Sequence, residues 1–396
     1  MKLSKKIEAC GLSPIRKFYP YILEAQKRGI QIHYLNIGQP DIKTPPAYFN
    51  ALANFRQEVL EYAPSPGIPE LIQAVQAYYA RLGADFATDD IMITTGGSEA
   101  LLMSMLCILD EGSEVIVPEP FYPNYNTFIT TAGGRICPVH TRPENGYHYA
   151  TREQIAPLIC EKTRAILITN PGNPTGTVLT REELRLMADI AREHSLYLIC
   201  DEVYREFIYD GGSLTTAGTF ADVDENLILI DSVSKRFSAC GARIGALISR
   251  NRDFMQAAIK IAQARLSVAT LDQIGAAALY SVDPSYFDAT REEYKRRRDV
   301  CYRKLKEIPG VVTTEPAGAF YTMAKLPVDS AEKFQLYLLT EFEDKGETVT
   351  FSPGSGFYAT EGAGENEIRI AYVRCEEELE RALDLLRMAI ERYNAK

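Results

Sequence analysis

Lys235 has no bland explanation in the sequence. It stands in Ser232-Val-Ser-Lys235-Arg-Phe-Ser-Ala-Cys-Gly-Ala-Arg243, between apolar runs at 227–230 and 244–248 that each read as a buried strand. Helix periodicity does not require a lysine there, and no solvated face accommodates one. It is either a structural oddity or a reactive amine, because a desolvated lysine loses its proton readily and becomes nucleophilic. Other apolar runs end in further chemistry. They offer the ring of Tyr122, the amide of Asn173, the carboxylate of Asp201, the phenol of Tyr204, the hydroxyl of Ser232 and, past the lysine, the guanidinium of Arg243. Buried and unpaired, the carboxylate, the amine and the guanidinium would each cost several kcal/mol. A structural ion cluster would satisfy any one of them but does not account for the whole set.

The elements that must position these groups follow a repeating plan. Residues 91–102 (IMITTGGSEALL) read as strand, glycine turn and helix start, where free backbone N–H groups and the helix dipole suit a phosphate. The turn is neither a Walker A loop nor a dinucleotide G-x-G-x-x-G, and taken alone it is a weak signal. Apolar strand, polar ending and helix then recur at 115–122, 165–176, 196–204 and 227–232, and one helix opens with a capping box of Thr180 and Glu183. Continuous apolar strands alternating with amphipathic helices predict a mostly parallel sheet covered on both faces. Ligands of such sheets bind outside the carboxyl ends of the strands, so the polar endings are expected to converge.

The flanks read differently. An N-terminal arm carries a helix over roughly 18–29, and the following run breaks at Gly38, either for a close approach of backbone or as a plain turn. A stiff loop at 61–67 feeds a helix with apolar residues at 68, 71, 72, 75, 78, 79 and 82. Residues 252–307 are helical and charged, with a break near Asp283-Pro284. The remainder predicts a smaller α+β unit with strands at 319–324 and 367–373 and helices at 330–345 and 376–393. The expected division is 1–45 for the arm and part of the small domain, 46–285 for the large domain and 286–396 for the small one.

The chain carries a net charge of −10, which disfavours a nucleic-acid or anionic-membrane partner. Its eight cysteines form no C-x-x-C pair and no metal-like cluster, as expected of reduced thiols in the cytoplasm. The first residues lack a signal peptide's apolar core, and no stretch approaches the roughly 18 apolar residues of a spanning helix.

One cofactor would use every piece at the strand ends. Pyridoxal 5′-phosphate needs an amine for its aldehyde, a carboxylate for its pyridine nitrogen and an aromatic face for its ring. Its phosphate needs a helix N-terminus, hydroxyls and an arginine. Gly96-Gly-Ser-Glu-Ala-Leu, Asn173-Pro-Thr-Gly, Asp201-Glu-Val-Tyr204, Ser232-x-x-Lys235 with Arg243, and Ile368-Arg369 together resemble the class I/II aminotransferases of pyridoxal phosphate, in type, order and spacing from about residue 13 to the C-terminus.

The resemblance implies an α/β fold of the aspartate-aminotransferase type. Its large domain would carry a mostly parallel seven-stranded sheet sandwiched by helices, with a smaller α+β domain formed by both termini, in a homodimer with shared active sites. Lys235 would be the Schiff-base lysine and proton carrier, with Asp201 at the pyridine nitrogen and Tyr204 and Asn173 at the phenolic oxygen. Tyr122 would stack on the ring. Gly97, Ser98, Glu99, Ser232 and Arg243 would hold the phosphate, joined by Tyr62 of the partner subunit. Arg369 would fork onto the substrate α-carboxylate beside Asn173, and Gly38 would close the other side.

Some relatives carry a basic residue in the glycine turn to read a second carboxylate, where this chain has Ser98. Arg16 or its neighbour Phe18 is expected to read the side chain instead, unless both are merely arm residues. The implied activity is ping-pong transamination between amino acids and 2-oxo acids. On the same motifs, β-elimination and aminocyclopropane-carboxylate synthesis remain open. A regulator built on this domain would need a basic DNA-binding module that the chain does not show, and a nicotinamide dehydrogenase would need the missing G-x-G-x-x-G.

Overall fold

Seven apolar runs form one sheet in the computed structural model, which describes residues 1–11, 13–14, 16–212 and 215–396. The spatial order is Ile91–Thr94, Gly245–Ile248, Leu227–Ser232, Tyr197–Asp201, Thr163–Thr169, Glu114–Pro118, Arg135–Val139. Every pairing is parallel except the two made by Gly245–Ile248, which runs against both neighbours. Alternate side chains feed opposite faces, as a strand's two-residue period requires. Leu198, Cys200, Leu227 and Leu229 enter one core, while Ile199, Ile228 and Ile230 enter another. Helices cover both, among them Gly96–Ile108 and Arg181–Glu193. The second begins at the expected capping box, where Glu183 N donates to Thr180 Oγ1 (3.1 Å) and Thr180 N to Glu183 Oε2 (2.8 Å).

A four-stranded antiparallel sheet runs in the order Ser352–Pro353, Glu367–Ala371, Tyr321–Lys325, Val312–Thr313. Helices Ala331–Thr340 and Glu376–Asn394 contribute to its separate core. The N-terminal strand Gln31–Tyr34 pairs in parallel with Glu347–Thr350, so the start of the chain is built into the C-terminal part. Three elements differ from expectation. The 319–324 strand begins only at Tyr321, because Ala319 sits at φ +56° and donates to the Phe207 carbonyl. The 330–345 helix stops at Thr340, ahead of a turn with Lys345 and Gly346 both at positive φ. The 252–307 stretch breaks twice. Besides Pro284, Leu266 at φ +75° ends the Arg252–Arg265 helix before Thr270–Leu279 begins. Among the described residues, no helix is long and apolar enough to cross a membrane.

The segment bearing Lys235 is clamped from below. Asp231 is the last residue but one of the buried strand, and its Oδ1 accepts from Ser232 N (2.8 Å) and from the Arg236 guanidinium. Both side chains of that pair are 1% exposed, and the guanidinium lies 4.2 Å from the Tyr78 ring centroid. The pair thus ties the residue after Lys235 to the one before Ser232. Removing one member strands a buried charge, so Arg236→Ala should cost about 3–5 kcal/mol in urea unfolding; a loss under about 1 kcal/mol would contradict the clamp.

Candidate active site

The polar strand endings do converge. They border a cavity of about 890 Å³, to which Gly97, Ser98, Tyr122, Asn173, Asp201, Tyr204, Ser232, Lys235 and Arg243 all contribute. Arg369 arrives from the small sheet, and Gly38 and Arg16 from the N-terminal segment. Three expected residues do not line this chain's own cavity, although Glu99 is expected to give only a backbone N–H and Tyr62 to act in the partner subunit's site. Phe18 is no wall residue: it is 8% exposed and packs with Ile22, Ala25, Ile32 and Leu339, because the arm helix needs an apolar anchor on the small domain. The Glu99 carboxylate turns back to accept from Thr95 N (2.6 Å), away from the cavity wall. Tyr62 stands on its loop 80% exposed, outside this chain's own cavity.

Asp201 is 5% exposed at the end of its strand. Tyr125 OH donates to Oδ2 (2.7 Å) and Val203 N to Oδ1 (3.4 Å), and no cation pairs with it among the described residues. Burial outweighs these donors and pushes its pKa up to about 6. Arg369 is the complementary case. It is 2% exposed, with Nη1 on Asn173 Oδ1 (3.1 Å) and Nη2 on the Asn36 carbonyl (2.7 Å). Among the described residues its Nε has no hydrogen-bond partner, and its guanidinium rests 4.6 Å from the Tyr321 ring and 5.0 Å from Phe357. Burial lowers its pKa. Two opposite charges therefore face one cavity without neutralising each other.

A continuous set of hydrogen bonds joins Arg369 to Lys235. Asn173 Nδ2 donates to Tyr204 OH (3.3 Å), which meets Tyr321 OH (3.1 Å). Tyr321 OH reaches the Gly38 carbonyl (3.4 Å), and Lys235 Nζ donates to the same oxygen (2.9 Å). Gly38 is a close approach rather than a plain turn, since a Cβ there would lie 1.8 Å from Tyr321 Oη. The glycine turn is as tightly built. A Cβ on Gly96 would lie 2.4 Å from Arg243 Nη2, and one on Gly245 would lie 2.7 Å from Gly97 N. Arg243, at φ +54°, holds its guanidinium against this turn and donates to the Cys240 carbonyl (2.9 Å). Ser232 Oγ donates to the Ile244 carbonyl (3.0 Å) and lies 2.8 Å from Ser234 Oγ.

Sequence reasoning missed Tyr125, Tyr321 and Asn36. Tyr125 lies three residues past Tyr122, in the first turn of the helix Asn124–Thr131, and its N–H donates to the Tyr122 carbonyl (3.0 Å). Tyr321 lay in a recognised strand, but nothing local shows that its ring supports an arginine from the adjacent strand. Asn36 carried no signal beyond its place two residues before Gly38.

A lysine amine, a buried carboxylate and a buried guanidinium border one cavity at the strand ends of an α/β sheet, an arrangement that suits an amino-group transferase. The chain belongs to the family of class I and II aminotransferases, whose sequence profile matches residues 31–386. It is 32% identical to an aspartate aminotransferase of Bacillus subtilis over the whole of both chains, and 32% identical to aromatic-amino-acid aminotransferase 2 of Thermococcus litoralis over 97% of each. A solved aspartate aminotransferase variant of Thermus thermophilus superposes with a TM-score of 0.90 at 29% identity, covering 98% of this chain and all of that one.

The raised pKa of Asp201 has a thermodynamic sign. Above the ordinary carboxylate value of 3.8 and up to about 6, the folded apoprotein holds a proton that the unfolded chain has released, so stability falls as pH rises through that window. Asp201→Asn should therefore melt higher than the parent apoprotein above pH 6, by at most about 3 kcal/mol, and the gain should vanish towards pH 4. Thermal melts across that range check it; a gain independent of pH would exclude this cause.

Proposed function

We propose that this cavity holds pyridoxal 5′-phosphate and that the enzyme is an aspartate-type amino-acid:2-oxo-acid aminotransferase. The observation that carries the reading is the pair of unpaired buried charges, Asp201 and Arg369, that border one cavity with Lys235, Arg369 being joined to that lysine by hydrogen bonds. A protonated ring nitrogen would neutralise Asp201, and a substrate α-carboxylate would fill the fork of Arg369. Bound there, the cofactor supplies an aldehyde for amine exchange and an electron-accepting ring.

The chain's own residues divide the rest. Lys235 would hold the cofactor through its amine and, once the substrate amine has displaced it, would carry the proton at the substrate Cα. Tyr204 and Asn173 would donate to the ring's phenolic oxygen, and Tyr122 would cover the ring face. The backbone N–H groups of Gly97, Ser98 and Glu99 would hold the phosphate with Ser232 and Arg243, and Tyr62 of the partner subunit would complete the set. Gly38 closes the cavity over the amine. Arg16, an exposed residue on the cavity wall, reads the substrate side chain.

A homodimer is supported by the apolar side chains exposed on one segment, Phe49, Val59, Leu60 and Tyr62, between 57% and 80% accessible in the single chain. The free cysteines support a reducing, cytoplasmic setting.

Mixing the cofactor-loaded enzyme with each amino acid in turn tests the reaction. The absorbance of lysine-bound cofactor should fall in one turnover as an oxo acid is released; ammonia or a cyclopropane product would favour the lyase chemistries. Lys235→Ala should still bind cofactor, without that absorbance and without turnover, and retained transamination would sink the assignment. Arg16→Ala should lower kcat/KM for aspartate about tenfold, as expected for loss of a charged hydrogen bond, and leave alanine unchanged. Unchanged kcat/KM for aspartate and alanine alike would remove Arg16 from the site.

A further inference from the structure

Asp201 carries its charge in surroundings that favour the neutral acid. Burial is the largest cause, and the carboxylates of Asp231, on the adjoining strand, and of Glu202 beside it add to it. The Tyr122 and Tyr204 phenols and the Cys200 thiol stand nearby, and burial holds all three in their protonated forms. Lys235, Arg243 and Arg369 border the same cavity, but among the described residues none of them pairs with it. The Val203 N–H is distant at 3.4 Å. Tyr125 is the close donor.

Tyr125 comes from the helix Asn124–Thr131 and is 1% exposed. Its hydroxyl lies 2.7 Å from Asp201 Oδ2 and 2.6 Å from Thr169 Oγ1. Thr169 and Asp201 are register partners at the ends of neighbouring strands, so the phenol spans both. Counting hydrogens fixes the direction of these bonds. A carboxylate only accepts and a phenol has one hydrogen, so Tyr125 gives that hydrogen to Asp201 and receives one from Thr169. A donor that itself receives a hydrogen bond is polarised and holds an anion more strongly. Burial and the neighbouring carboxylate keep the phenol protonated well above its ordinary range, so it remains a donor. The same ring meets Tyr122 edge-on, with centroids 5.5 Å apart and planes at 89°.

We infer that Tyr125 is a positioning residue, which keeps Asp201 ionised through Oδ2 and leaves Oδ1 to receive the pyridine nitrogen. This rests on the cofactor reading above and deepens it. A neutral acid at Asp201 could not hold the ring nitrogen in its protonated, electron-accepting form. Through its edge the residue also braces Tyr122, the side chain expected on the ring face.

Tyr125→Phe keeps the ring and deletes only the hydroxyl. In the apoprotein, carbon-13 NMR of the aspartate carboxyls reads the ionisation of Asp201, its signal assigned by its loss in Asp201→Asn. The proton affinity of Asp201 should rise about tenfold or more in Tyr125→Phe, the scale of a lost hydrogen bond to a charge. Thr169→Val, which removes the donor behind the phenol, should move it the same way by less. An unchanged titration in Tyr125→Phe overturns the inference. In the holoenzyme, kcat for aspartate should fall about tenfold or more while KM changes less than about threefold, because the substrate carboxylates bind elsewhere. An unchanged kcat, or a loss confined to KM, overturns it too. Wild-type protein that fails to take up pyridoxal 5′-phosphate would strike the cofactor reading and this inference together. Uptake by wild type with an unaltered Asp201 in Tyr125→Phe would strike the inference alone.

Discussion

Two charges that the polypeptide buries and does not neutralise govern this molecule. Asp201 and Arg369 sit 5% and 2% exposed, on different sheets, facing the same cavity. Paired with each other they would form a structural ion bridge; held apart they cost stability until ligands arrive. The rest of the structure keeps them apart. Tyr125 and Val203 give Asp201 partial solvation, and Asn173, the Asn36 carbonyl and two aromatic rings do the same for Arg369. Neither set includes an opposite charge, so the site is preorganised for a ligand that carries both signs.

Rigidity at this depth comes from backbone packing. The strand ends are carried by a sheet with apolar cores on both faces, and the antiparallel Gly245–Ile248 strand runs so close to the glycine turn that no side chain fits at Gly245. The Asp231–Arg236 pair fixes the segment bearing Lys235 from underneath. On the other side, Tyr321 fills the space over Gly38 and props the arginine. Precise placement of a few polar groups thus depends on glycines that admit their neighbours and on one fully buried ion pair.

The parallel pairing of Gln31–Tyr34 with Glu347–Thr350 matters for selectivity. It brings the arm to the cavity wall and lets residues close to the N-terminus face the same space as Arg369, more than 300 residues later. Phe18 anchors that arm in a small apolar cluster with Ile32 and Leu339, which leaves Arg16 on the wall. Relatives of equal identity are named for aspartate and for aromatic amino acids.

Much of this was legible in one dimension. Apolar runs ending in Asn173, Asp201 and Ser232 announced a parallel sheet with its chemistry at one edge, because strand burial leaves a continuous apolar signature and a polar stop. Lys235 and Arg243 were conspicuous as charges between buried strands. The capping box at Thr180 and Glu183 marked a helix start to the residue. Positions set by long-range packing were not legible. Phe18 reads like any arm aromatic until its neighbours are known, Leu266 gives no local sign of positive φ, and Tyr321 and Asn36 acquire meaning only beside Arg369. The sequence by itself determined which groups are available and which strand ends bear them, since local periodicity and burial are local physics. Only the tertiary structure decided that Asp201 and Arg369 go unpaired, because the partners a charge lacks depend on every element packed around it.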